Sequence, residues 1–246
     1  MILSHDWRFV FLKTRKTAGT SVEIALSRIC GPLDVVTPIS PVDQALRYQD
    51  SGALPRNYLL GGTPAPPTHA PAKAHFAQQM KSYQPRAQLF NHITASQLRP
   101  LVGARVWQTY FRFTIERDPF ERLESQYFWR MQFHDQPIAF SAWLRSDLPR
   151  NTRNAAVYFD GDTLEVDFVA DHARLAEDIA LVAKLMGWPD PGDLPRAKSH
   201  TRHGRRIEWT AADRAFVEQT FATEVSLYEQ VRQGYFRDRL REAASS

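Results

Sequence analysis

The sequence holds one cysteine, Cys30, among 246 residues. No internal disulfide can form, and no CxxC or Cys/His pattern of zinc-ligand spacing is present. Long apolar runs are also missing, so nothing reaches the roughly 18 residues that a membrane-spanning helix requires. The opening Met1-Ile2-Leu3-Ser4-His5-Asp6 lacks the basic region and apolar stretch of a signal peptide. Together these absences predict a soluble, cytoplasmic protein. There is no Walker A loop, GxxxxGK[ST], which argues against an ordinary ATPase or GTPase. The charge excess is small, with a formal net charge of +4. That fits a small anionic ligand better than a nucleic-acid groove, which calls for a denser basic stripe.

What remains is ordinary globular material, 43% hydrophobic and 24% charged. The chain reads as one domain over residues 1–246, with a Pro-rich loop inserted at about 31–73. Trp7 to Leu12 is aromatic and β-branched and predicts a buried strand. Lys13 to Thr20 is a polar loop, and Val22, Ala25, Leu26 and Ile29 then recur at helical spacing. Cys30 follows that pattern as a small core residue. Gly31 to Lys73 predicts loop-rich surface with a short helix at Val42–Tyr48, and a lid facing substrate. Phe111–Ile115 and Val166–Val169 are the further predicted strands. Helices are predicted through Leu98 and Leu101, over Glu121–Gln132, through Leu175–Met186, and late in the chain from Phe216 to Tyr228. Alternating strands and helices imply a three-layer α/β domain with a parallel central sheet flanked by helices. Ligands of such sheets bind beyond the carboxyl ends of the strands.

Two polar segments lie at those ends. In Lys16-Thr17-Ala18-Gly19-Thr20-Ser21, small residues let backbone N–H groups approach an anion at a helix N-terminus. Lys16 adds a mobile cation, and Thr20 and Ser21 add hydroxyls. The same pattern also fits an ordinary capped βα-loop. In the second segment Arg117 closes a strand, and Ser125 follows eight residues later, about two turns into a helix. An arginine fork and a hydroxyl so placed can converge on one phosphate. Arg117 can equally pair with Asp118 or Glu121 as a surface bridge.

Taken together, the KTAGTS loop and the RDP turn with its later serine resemble the sulfotransferases that use 3′-phosphoadenosine-5′-phosphosulfate (PAPS), in particular the bacterial and carbohydrate-type branch. His92-Ile93-Thr94-Ala95, Leu98, Trp107, Val166-Asp167-Phe168, Leu175, Asp178 and Lys198-Ser199 extend the similarity over most of the chain. The resemblance implies a fold close to the P-loop nucleotide kinases. It places Lys16, Thr17, Ala18, Gly19, Thr20 and Ser21 on the 5′-phosphosulfate, and Arg117 and Ser125 on the 3′-phosphate. Lys198 and Ser199 would close over the adenine or the 3′-phosphate. One departure is Glu116, an acid where the family commonly has an apolar residue, beside an anion site.

The resemblance also implies a hydroxyl acceptor, with a carbohydrate as the first choice, and adenosine 3′,5′-bisphosphate as the product. No motif calls for a metal. His92 is the first candidate for the general base, and Glu23, just after the phosphosulfate loop, is the second. Lys16 would also stabilise the leaving oxygen. His69 and His75, in the loop-rich region, could contact acceptor or simply be solvated, and Arg202, Arg205 and Arg206 could form an anionic-glycan track or a solvated face. Trp107, Trp129 and Trp143 are either sugar-stacking faces or core. Acceptor choice would lie in the Pro-rich loop and around Phe133 to Arg153. Two other classes share such loops: a PAPS- or bisphosphate-binding protein without transfer activity, and a nucleotide kinase of related fold.

Overall fold

The computed structural model describes residues 1–60, 89–150, 152–195 and 207–245. Its strands are β1 (Ile2–Ser4), β2 (Phe9–Phe11), β3 (Val35–Val36), β4 (Phe111–Glu116), β5 (Phe159–Asp160), β6 (Thr163–Leu164) and β7 (Phe168–Asp171). Five of them form one sheet in the order β3-β1-β2-β4-β7, while β5 and β6 form a separate hairpin. Strands β2, β4 and β7 run parallel, with Phe11 opposite Phe113 and Ile115 opposite Ala170. The other edge departs from the predicted parallel sheet. There β1 pairs antiparallel with both β2 and β3. Only His5–Arg8 separates β1 from β2, enough for a hairpin and far too short for the crossover a parallel pair requires. The architecture is a mixed α/β sheet flanked by helices.

The helices begin and end on local chemistry. Helix α1 (Gly19–Ser27) follows β2 and is buried along its whole length. Helix α2 (Pro41–Ser51) starts with Pro41 at its first position behind the Ser40 cap, and stops at Gly52, whose φ is 68°. Helix α3 (Ala95–Thr109) opens on a capping box between Thr94 and Gln97 and is broken at Gly103. Helix α4 (Pro119–Met131) follows β4. Short helices α5 (Phe140–Leu144), α6 (Asp147–Arg150) and α7 (Ala155–Tyr158) lead to the hairpin. Helix α8 (Leu175–Met186) ends at Gly187 as predicted. The late helix is divided into α9 (Ala211–Thr220) and α10 (Ala222–Arg232), followed by α11 (Tyr235–Ser245). The division falls at Phe221, whose φ/ψ of −112°/30° leaves the helical region. Its ring is fully buried beside Leu123, Trp143 and Val217.

The main core gathers Phe9, Phe11, Phe113 and Phe168 from the sheet, with Trp188 packed against Phe9 at 4.5 Å between ring centres. Full burial of such rings contributes about 1.5–3 kcal/mol each. Trp107 and Trp143 are 5% and 2% exposed, so both are core residues rather than stacking faces. Cys30 is partly buried, its thiol donates to the Leu26 carbonyl, and burial, aided by Asp34, pushes its pKa up to about 12.

The described part of the predicted loop-rich segment holds regular structure, and the helix predicted at Val42–Tyr48 is α2. Val35–Val36 forms the sheet edge, and α2 packs against α1. Asp34, fully buried, ties the start of this segment to the end of β1: its carboxylate accepts hydrogen bonds from the Ser4 hydroxyl and from the N–H groups of His5 and Gly31 at 2.6–2.8 Å. Residues 61–73, with His69, and the later His75 lie outside the described residues.

Candidate active site

The parallel pairing of β2 with β4 sets the two polar loops side by side. Beyond the strand ends the pairing continues: the Leu12 N–H donates to the Phe113 carbonyl at 2.9 Å, and the Thr114 hydroxyl donates to the Leu12 carbonyl at 2.7 Å. In the first loop, Lys16 and Ala18 have φ of 61° and 59°, the left-handed region. Ala18 is the N-cap of α1 and supplies no side-chain cap. The first-turn N–H groups of α1 are therefore not capped by a side chain, and the positive end of the helix faces the loop.

Lys13 crosses this loop. Its ammonium donates to the Thr20 hydroxyl at 2.9 Å and to the Glu23 carboxylate at 2.6 Å. A Cβ at Gly19 would stand 2.8 Å from Lys13 Cγ, so only glycine lets the lysine stem pass. Glu23 is fully buried and also pairs with the Met1 amino group and, at 3.8 Å, with Arg47. Burial opposes its ionisation, but Lys13, the amino group and Arg47 outweigh that and hold its pKa well below the usual carboxylate range. Thr17 faces inward too, its hydroxyl bonded to Thr14 at 2.8 Å.

At the second loop, the Asp118 carboxylate accepts from the N–H groups of Phe120 and Glu121 at 2.9 and 3.0 Å, capping α4, with Pro119 at its first position. Arg117 pairs with Glu121, not Asp118, at 2.8 Å. Glu116 turns into the protein. Fully buried, it accepts from the Arg117 N–H at 2.9 Å, from Tyr158 Oη at 2.7 Å and from Asn154 Nδ2 at 3.2 Å. Burial pushes its pKa up, against the nearby Arg122 and these three donors.

Asn154 joins the loops. Its side-chain carbonyl accepts from the Arg15 N–H at 2.8 Å, and its amide donates to the Arg15 carbonyl at 3.1 Å as well as to Glu116. One fully buried amide thus holds the residues immediately before Lys16 and Arg117. A cavity of about 350 Å³ opens between the loops, and Lys16, Ala18, Gly19, Thr20, His92, Arg117 and Ser125 all line it. Thr17, Ser21 and Glu23 are not among its lining residues. Of the tryptophans, Trp129 is at the wall, with Lys16 Nζ 5.6 Å and the Arg130 guanidinium 5.1 Å from its ring centre.

His92 enters this cavity from a left-handed backbone position, φ 62°. Its Nδ1 lies 2.8 Å from the Lys13 carbonyl, an acceptor only, so Nδ1 carries the proton and Nε2 presents its lone pair. Burial lowers its pKa well below the ordinary histidine value, and the charges of Lys13 and Arg15 add to the effect. The imidazole is neutral at pH 7 and able to accept a proton.

Sequence reasoning missed Lys13, which it took only as the boundary of a polar loop, and also Asn154, Arg15 and Arg130. An asparagine that bonds a distant backbone leaves no trace in periodicity. Lys198, Ser199, Arg202, Arg205 and Arg206 lie outside the described residues. Among the described residues, no group of three or more His, Cys, Asp or Glu side chains is placed to hold a metal ion, and no helix is long and apolar enough to cross a membrane.

A family profile described as "Sulfotransferase family" matches residues 1–241. An uncharacterized protein of Archaeoglobus fulgidus is 29% identical over 101 residues, covering 39% of this chain and 84% of that protein. No solved structure matches the chain. The match over nearly the whole length establishes that the chain belongs to the sulfotransferase family.

Proposed function

We propose that this member of the sulfotransferase family transfers the sulfuryl group of PAPS to a hydroxyl of a carbohydrate or other alcohol, as a single domain over residues 1–246. The observation that carries this reading is the convergence of Lys16, the N-terminus of α1, Arg117, Ser125 and His92 on one cavity. The α1 N-terminus and Lys16 take the 5′-phosphosulfate, and Arg117 with Ser125 takes the 3′-phosphate. The acceptor oxygen forms a bond to sulfur as the bond from sulfur to the bridging oxygen breaks, leaving its electron pair on the 5′-phosphate of adenosine 3′,5′-bisphosphate. Nε2 of His92 takes the acceptor proton. Lys16 stabilises the charge that develops on the leaving oxygen. Glu23 serves as the counter-ion that orients Lys13, because its carboxylate is committed to cations and sits outside the cavity lining.

The test is His92→Ala, assayed for PAPS-dependent transfer and, by calorimetry, for bisphosphate affinity. Loss of a general base predicts a fall in turnover of about 10²–10⁴-fold, with bisphosphate affinity near wild type. Full turnover in this variant contradicts the role given to His92. Transfer from ATP in place of PAPS contradicts the reaction.

A further inference from the structure

Lys13 serves two different neighbours with its two ends. Its ammonium donates to Thr20 Oγ1 at 2.9 Å, and its carbonyl accepts from His92 Nδ1 at 2.8 Å. Thr20 and His92 both line the cavity, as does Lys13 itself. The lysine side chain is only 5% exposed, so these contacts are shielded from bulk water.

The surroundings hold Lys13 in this one position. Gly19 leaves space for its stem, since a Cβ there would stand 2.8 Å from Lys13 Cγ. Glu23, fully buried, supplies the counter-charge at 2.6 Å. The same carboxylate also pairs with the Met1 amino group and, at 3.8 Å, with Arg47, so it stays matched when Lys13 is lost.

An ammonium offers donors only, so Thr20 Oγ1 is the acceptor in their contact. The hydroxyl proton is thereby turned away from Lys13, and the adjacent charge strengthens it as a donor. Thr20 stands in the first turn of α1, among the N–H groups that no side chain caps. Its hydroxyl therefore joins the donors at the positive end of the helix. The same ammonium disfavours a second cation at His92. Burial lowers the His92 pKa most, Lys13 is the largest of the charges acting in the same direction, and Arg15 and the Met1 amino group follow. The other titratable groups on the cavity wall, among the described residues, are Lys16, Arg117, Arg130 and His172.

We propose that Lys13 is a positioning residue for the transfer step: through Thr20 it sets a hydroxyl donor on the phosphosulfate, and through its carbonyl and charge it holds His92 in the Nδ1–H form that takes the acceptor proton. The proposal rests on the sulfotransfer reading. It assigns to one side chain the alignment of donor and base.

The test needs no acceptor. PAPS is titrated calorimetrically into the full-length wild type, Lys13→Met, Thr20→Val and the double variant, and the His92 imidazole is followed by NMR against pH, its signal assigned with His92→Ala. Each single variant is expected to bind PAPS about tenfold or more weakly, the scale of a lost charged hydrogen bond. The double variant binds it no more weakly than the weaker single one, because Lys13 acts through Thr20. Removing the ammonium moves the His92 midpoint to higher pH in Lys13→Met, whereas Thr20→Val, which keeps the charge, leaves it in place. A purely structural lysine would lower stability and leave that midpoint where it is. An unmoved midpoint in folded Lys13→Met, or fully additive losses of PAPS affinity, overturns the proposal. Thr20→Val preserves shape and charge, so wild-type PAPS affinity in that variant overturns it regardless of how Lys13→Met folds. Failure of wild type to bind PAPS removes the sulfotransfer reading itself.

Discussion

Replacing Asn154 with alanine is predicted to damage both loops at once. The variant loses the bond from the Arg15 N–H at 2.8 Å, the bond to the Arg15 carbonyl at 3.1 Å and the donation to Glu116 at 3.2 Å. Glu116 keeps two donors, Tyr158 and the Arg117 N–H, so its loss is the smallest. A buried polar group left without a partner costs about 1–3 kcal/mol. Arg15 is only partly buried, so water recovers some of that, and the net destabilisation is about 2–4 kcal/mol. Because Arg15 precedes Lys16 and Glu116 precedes Arg117, the span between the two proposed anion sites loosens. A ligand with a phosphate at each end suffers most, and its affinity falls by about 10–100-fold. Urea unfolding reads the first effect, and calorimetry with adenosine 3′,5′-bisphosphate beside AMP reads the second. Wild-type stability together with wild-type affinity for the bisphosphate would refute the bridging role.

Two further predictions concern titratable groups. Glu23→Gln leaves Lys13, the Met1 amino group and Arg47 without their anion and is expected to cost about 3–5 kcal/mol, measurable as a lower urea midpoint. The same carboxylate has a folded pKa below its unfolded one, so its contribution is present above about pH 4.5 and is lost as the pH falls toward the folded value. The Gln variant should therefore lose part of the wild-type acid sensitivity. For His92 the lowered pKa places the acid limb of kcat/KM below about pH 6.5, with no further rise above neutrality. An acid limb above neutrality contradicts the neutral imidazole.

Much of the arrangement was readable from short-range pattern. Phe111 to Ile115 alternates and is rich in strand formers, so β4 was evident, and Arg117-Asp118-Pro119 announced the cap of α4. The KTAGTS segment follows β2 as expected, but α1 opens inside it, at Gly19 rather than at Ser21. Strand β7 begins two residues later than the pattern indicated, because Asp167 is taken up by the Arg112 side chain at 2.7 Å. The divided late helix was invisible for a different reason: apolar spacing from Phe216 to Tyr228 continues through the break at Phe221. Glu23 was the second candidate base because it follows the KTAGTS segment, whereas its direction was set by Lys13 and Arg47, ten and twenty-four positions away. Glu116 was similarly ambiguous until Tyr158 and Asn154 gave it internal partners. For β7, Glu23 and Glu116 the deciding contact is polar and lies elsewhere in the sequence, which neither period nor propensity encodes.

The central claim is that two anion sites on adjacent parallel strands bind the two ends of one nucleotide. Calorimetric titration with adenosine 3′,5′-bisphosphate, against AMP and ATP with magnesium, in wild type and Arg117→Ala tests it most directly. The account predicts that the bisphosphate binds tightly, that the controls bind weakly, and that the substitution lowers bisphosphate affinity by about 10–100-fold, the scale of a charged hydrogen-bond pair. Equal or tighter binding of ATP with magnesium, or bisphosphate binding that ignores the loss of Arg117, would contradict it.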